Sequence, residues 1–331
     1  MNLKNLPKIE LHCHLDGSLR PETIVDIAKK DKINILSYNV NDIRNKITIP
    51  LDCKSLDEYL KAFEIPNLVM QSKENLKRIT FEVFEDSARE NVKYMEIRFA
   101  PQLHTLKGLT LEEIIQSVIE GIRLAESMYD IKGNVILCCM RNMDEDKAFQ
   151  VIEDGKKFIG RGVAGIDLCS SEDDGFCERF LEPIKLAREY GYGITIHAGE
   201  TGISRNVIDA VRLLGAERIG HGVAIKNSKE AYKLVKAQKI ALEMCPTSNV
   251  QTKAVNSFYE HPIYKFLKDG IRVTLNTDNR TVSNTTMTNE CQVMVNEFDM
   301  SYEDYRQIYF NSVDACFTDS KTKEKLKEYI K

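Results

Sequence analysis

The stretch Ile9-Glu10-Leu11-His12-Cys13-His14-Leu15-Asp16-Gly17-Ser18 places two histidines at the end of a short apolar run. The run reads as a strand, and Gly17-Ser18 as the turn that ends it. Side chains alternate faces along a strand, so His12 and His14 point the same way and Cys13 packs on the other face. Their Cβ atoms then stand roughly 6 to 7 Å apart. Two imidazoles at that separation reach one metal ion through bonds of about 2.0 to 2.1 Å. A lone His-x-His pair also fits two ordinary polar residues at a strand end, so partners elsewhere in the chain have to decide.

Seven further runs resemble the first. Strands are expected near residues 93, 134, 163, 194, 217, 240 and 271, with helical periodicity between them. Thr110 with Glu113, and Ser55 with Glu58, have capping-box spacing, and Gly215 stands where a helix should stop. Residues 32–54 show no clear period. Strict alternation of strand and helix argues for parallel strands. Eight units without a Gly-Ser or Pro-rich linker predict a single (β/α)8 TIM barrel over residues 1–331, with additional helices at 55–91 and 284–331. A doubly wound open sheet is the competitor, but no Gly-x-Gly-x-x-Gly follows the first strand.

The chain has 331 residues, 43% hydrophobic and 29% charged, which allows a large core. A net charge of -4 gives no support to nucleic-acid binding. No apolar run is long enough for a membrane span, and residues 1–7 contain no signal-like apolar core. Nine cysteines without regular spacing read as reduced thiols, so a cytoplasmic location is expected. No protein partner can be inferred from any motif.

A barrel of this kind keeps its chemistry at the C-terminal ends of the strands. Four of the six histidines fall there: His12, His14, His197 and His221. Asp278 follows the eighth strand. His104 and His261 fall in loop or helix-start contexts and are read as unremarkable. Three imidazoles and a carboxylate suit zinc, with His12, His14, His197 and Asp278 as its ligands. Zinc would lower the pKa of a bound water toward roughly 7. Glu200, three residues after His197, is either an acid or base facing a substrate or an acid at a helix N-terminus. His221 either holds the activated water or is a hydrogen-bonded core histidine. The fourth strand ends without a lysine that could bridge two metals, which favours one ion per chain. The stripe Leu56, Tyr59, Leu60, Phe63 is core-facing or a ligand wall. His-Glu-x-x-His, Pro-Cys-x-x-Cys and Gly-x-Ser-x-Gly motifs are all missing.

In order, Leu11–Ser18 (LHCHLDGS), 165–168 (GIDL), 197–200 (HAGE), 218–222 (RIGHG), 245–249 (CPTSN) and 276–279 (NTDN) resemble the adenosine deaminases of the amidohydrolase superfamily. The resemblance implies a zinc enzyme that converts adenosine or 2′-deoxyadenosine to inosine or 2′-deoxyinosine and ammonia in purine salvage. It implies attack of a zinc-activated water on C6, with Glu200 protonating N1, His221 orienting the water and Asp278 taking its proton. It places His14 and Asp16 near the ribose, the Gly165 backbone at N3, Asn279 at N7, and Tyr59, Leu60 and Phe63 as a lid. Many members have Asp-Pro where this chain has Asn279-Arg280. An asparagine amide donates to N7 at any pH. Arg280 is either a positive charge suited to an anionic purine or a solvated surface residue. Alternatives are a deaminase of adenine or of another 6-aminopurine nucleoside or nucleotide, a two-metal hydrolase, and an inactive nucleoside-binding protein.

Overall fold

The computed structural model describes residues 2–330. Lys331, the last residue of the expected 284–331 segment, lies outside them, as does Met1. The strands are β1 (Lys8–His14), β2 (Val92–Phe99), β3 (Lys132–Met140), β4 (Val163–Cys169), β5 (Gly193–Ala198), β6 (Arg218–His221), β7 (Ala241–Met244) and β8 (Val273–Leu275). All seven pairings are parallel and follow chain order. Just past β8, Asp278 bridges back to Cys13 in β1. The His14 amide donates to the Asp278 carbonyl at 2.7 Å, and the Asp278 amide to the His12 carbonyl at 2.8 Å. The sheet thus curls into the expected (β/α)8 barrel.

The surrounding helices form for the reasons their periodicity suggests. Leu111–Met128 starts at the Thr110–Glu113 capping box and buries Ile114, Ile115, Val118 and Ile122 along one face. One expected irregular region is in fact helical: Val40–Ile47, capped by the Asn39 side chain, buries only Ile43 and Ile47. Its apolar contribution is too small to show as a period. The stripe after Ser55 is also not one continuous helix. Leu56–Leu60 gives way to a 3-10 turn at Lys61–Phe63 before Glu64–Val69 begins. Pro66 has no N–H to offer the Ala62 carbonyl, so the α-ladder cannot run through this turn.

One end of the barrel is plugged. Phe317 packs at its N-terminal mouth, where Cβ atoms added to Gly193 and Gly165 would come within 2.6 and 3.0 Å of the ring. The Arg218 guanidinium lies 3.8 Å from the Phe317 ring centroid, and the Phe317 amide donates to Glu96 Oε1 at 2.5 Å. Chemistry that needs access is therefore confined to the opposite mouth, where the strands end.

Candidate active site

Residues of β2, β4, β6 and β7 point charge into the barrel interior. Arg98 donates to Asp167 Oδ2 at 2.8 Å and to Glu243 Oε2 at 2.6 Å. Arg218 donates to Glu243 Oε1 and Glu96 Oε2, both at 2.6 Å. All five side chains are buried. Burial opposes the charge on Asp167, but His197 and Arg98 outweigh it and hold the carboxyl well below its usual range. Burial likewise opposes the charge on Glu243, yet Arg98 and Arg218 hold it well below. Ionised carboxylates only accept hydrogen bonds. Glu243 Oε2 faces His12 Nδ1 at 2.8 Å, and Asp167 Oδ1 faces His197 Nδ1 at 3.0 Å. Both histidines therefore carry their proton on Nδ1 and turn a bare Nε2 toward the open mouth.

These nitrogens converge. His14 Nε2 is 3.3 Å from His197 Nε2 and 3.4 Å from Asp278 Oδ1, and His12 Nε2 is 3.3 Å from the same oxygen. His12 Nε2 is buried without a hydrogen-bond partner. Burial pushes His14 well below its usual range, and His197 and His12 add to that against Asp278. Burial also works against the Asp278 charge, but His12, His221 and His14 together hold it well down. Ser248 donates to Asp278 Oδ2 at 2.5 Å. Bare ring nitrogens facing a carboxylate oxygen at these distances are the donor set of a metal centre. The expected ligands His12, His14, His197 and Asp278 all meet here. His221 comes as close: with His12, His197 and Asp278 it offers ligand atoms within 4.8 Å of one another.

Beside the cluster lies a cavity of about 280 Å³. Asp16, Glu200 and Asn279 supply polar groups, while Leu56, Leu60 and Phe63 form an apolar wall. Tyr59 also lines it, with its hydroxyl fixed to Ser283 Oγ at 2.6 Å. Burial pushes Asp16 up to about 6. Asn279 Oδ1 lies against Gly17, where an added Cβ would come within 1.8 Å, so no other residue fits that turn. Glu200 is buried, with Oε2 3.6 Å from His221 Nε2. The next helix begins only at Ser204, so Glu200 is not an acid of its first turn.

Glu172, which sequence reasoning passed over, fixes the Glu200 turn. It accepts the amides of Gly199, Glu200 and Thr201 at 2.6, 2.9 and 2.9 Å. Ser170, His221 and Asp278 hold φ of 85°, 61° and 61°, a left-handed region costly for non-glycine residues. All three line the cavity.

The family model described as adenosine deaminase matches residues 7–331. An adenosine deaminase of Clostridium botulinum (strain Okra / Type B1) is 62% identical, covering 100% of this chain and 99% of its own length. The chain belongs to the adenosine deaminase family. A Clostridium perfringens adenosine deaminase is 56% identical over 99% of this chain and 98% of its own. Among solved structures, the adenine deaminase of Arthrobacter aurescens superposes with a TM-score of 0.90 at 26% identity, covering 98% of each chain. A Burkhoderia ambifaria amidohydrolase with bound Zn gives 0.87 at 26% identity, covering 98% of this chain and 90% of that one.

Two expectations drawn from the family resemblance need correction. Gly165 is not at the cavity. It sits near the start of β4, between the Gly193 carbonyl and Phe317, at the plugged end of the barrel. The residues this strand presents to the cavity are Cys169 and Ser170. Arg280 is neither beside the pocket nor solvated: its side chain is 9% exposed and paired with Glu90 in a separate hollow. Glu96 and Arg98, two apart inside β2, and Asp167 and Glu243, each the single charge of an apolar strand, were legible in principle as charges that a polar interior explains.

Proposed function

We propose that this chain is a zinc-dependent hydrolase that converts adenosine and water to inosine and ammonia. The observation that carries this reading is one cavity lined by Glu200 together with His14, His197 and Asp278, with His12 beside them. Relatives named adenosine deaminase support the substrate. The nitrogen and oxygen donors and the zinc-bound relative support the metal. A single group of side chains able to hold a metal, His12, His197, His221 and Asp278, occurs among the described residues, which suits one ion per chain.

Zinc held there would lower the pKa of a water toward about 7 and supply a nucleophile at neutral pH. The residues do the rest. Substitution at C6 needs a proton on N1, which draws electron density from C6, and Glu200 is placed to deliver it. A C6–O bond forms, the C6–N6 bond breaks, and the amine leaves as ammonia. Of the two protons the water gives up, Asp278 collects the first. One ends on ammonia and one restores Glu200. The Asn279 amide donates to N7, and Asp16 accepts from a ribose hydroxyl. Leu56, Leu60 and Phe63 keep water from the sugar side. No lysine or arginine lines the cavity among the described residues, and Arg280 is committed to Glu90. A 5′-phosphate entering it meets Asp16 and Glu64, which supports a neutral nucleoside over a nucleotide.

The test is an ultraviolet time course with adenosine, adenine and adenosine monophosphate, before and after chelation and zinc readdition. Adenosine should turn over with kcat/KM at least about 10²-fold above both others, since those lack or overload groups the site recognises. Chelation should abolish turnover and zinc restore it. A higher kcat/KM for the free base or the nucleotide would overturn the substrate assignment.

A further inference from the structure

His221 is the ambiguous member of the site, since it stands as close to the metal-binding atoms as a ligand would. Its protonation pattern can be traced from a donor whose identity is fixed. Ile263 opens the helix Ile263–Lys268, so its amide has no intrahelical acceptor. That N–H donates to His261 Nδ1 at 3.2 Å. His261 Nδ1 must therefore be bare. Burial pushes His261 down to about 3, so the ring is neutral and its one proton sits on Nε2. Nε2 is 3.0 Å from Asn249 Oδ1, which accepts. The other end of that amide, Asn249 Nδ2, can only donate, and it lies 2.9 Å from His221 Nδ1. His221 Nδ1 accepts, leaving the proton on Nε2. All three side chains are buried, so water does not compete for these positions.

We propose that Asn249 and His261 are positioning residues that lock His221 in the Nε2–H tautomer and make it a hydrogen-bond donor into the site. A nitrogen that carries a proton cannot ligate a metal or accept a proton from water. His221 is thereby set apart from His12 and His197, whose carboxylate partners impose the opposite tautomer. His14 is left as the fourth ligand, and Asp278 as the group that accepts the water's proton. His221 Nε2–H faces Glu200 Oε2 at 3.6 Å and the space where charge develops on the attacking oxygen.

The test is a long-range 1H–15N spectrum of the metal-loaded protein labelled in its six histidines, with His221 assigned by its loss in His221→Gln. His221 should show a protonated Nε2 and a bare Nδ1, as should His261, while His12 and His197 show the reverse. In Asn249→Asp the isosteric carboxylate only accepts, so the His221 proton should move to Nδ1. The kinetic arm rests on the adenosine reading: kcat should fall about 10²-fold with KM within about threefold, because only a transition-state contact is lost. A protonated Nδ1 on wild-type His221 would overturn the proposal without reference to any substrate, even if the variant failed to fold. So would an unchanged tautomer, or kcat within about threefold of wild type, in a folded Asn249→Asp.

Discussion

Glu200 is held by its backbone rather than its side chain. Glu172 takes the amides of residues 199–201, which leaves the Glu200 carboxyl free to face the cavity. Glu200→Gln keeps the shape and removes the transferable proton. Turnover of adenosine should fall by about 10² to 10⁴-fold, while zinc content measured by elemental analysis stays at one ion per chain. Loss of zinc together with activity would show that Glu200 supports the metal centre instead. At this scale the gathering of His12, His14, His197, His221 and Asp278 was legible in the sequence, because all five close or follow apolar runs. Gly165 was not. It shares a motif with Asp167, but a strand advances about 3.3 Å per residue, so the two ends of β4 face opposite mouths of the barrel. Ser170, just past the strand and at φ 85°, lies on the cavity wall.

Elements were more readable by type than by boundary. All eight strands and most helices lie where periodicity puts them, since burial on one face forces the pattern. The helix Val40–Ile47 escaped because it buries two residues only. The segment after Ser55 kept a stripe that faces the cavity and lost its continuity to Pro66. The plug was invisible, because a phenylalanine in the connection between the last two helices, Tyr302–Ala315 and Ser320–Glu328, gives no sign of what it covers. Phe317 fills space that Gly165 and Gly193 leave open at the barrel floor. Phe317→Ala should destabilise by about 1 to 2 kcal/mol, the ring being only partly buried. It should leave kcat and KM unchanged, since the cavity opens at the other end. A denaturant titration beside an adenosine assay checks both, and an equal loss of activity per folded molecule would refute the separation of floor and site.

The whole barrel is needed to assemble the polar interior. Arg98 of β2 joins Asp167 of β4 to Glu243 of β7, and Arg218 of β6 joins Glu243 to Glu96 of β2. Closure also buries His104, stacked on Phe99 with neither ring nitrogen partnered, and burial pushes it down to about 3. An unfolded histidine titrates near 6.5. The folded value is depressed, so this stability is fully present above pH about 6.5 and is lost as pH falls from there toward 3. At pH 5 the loss is about 2 kcal/mol. Glu290, which burial raises to about 7, works in the opposite direction over the same window. The comparison of variants isolates the histidine: His104→Leu should lose less stability than wild type between pH 7.5 and 5 in urea titrations, and equal losses would refute the assignment. The sequence by itself determined the barrel, the histidines that gather at the strand ends and the family, because periodicity and ordered motifs are written along the chain. Tertiary structure alone decided which way His12, His197 and His221 hold their protons, which end of β4 meets the cavity, and that Arg280 is spent on Glu90. The partners of His12, His197, His221 and Arg280 stand between 28 and 231 residues away, and proximity of that kind exists only once the strands have closed.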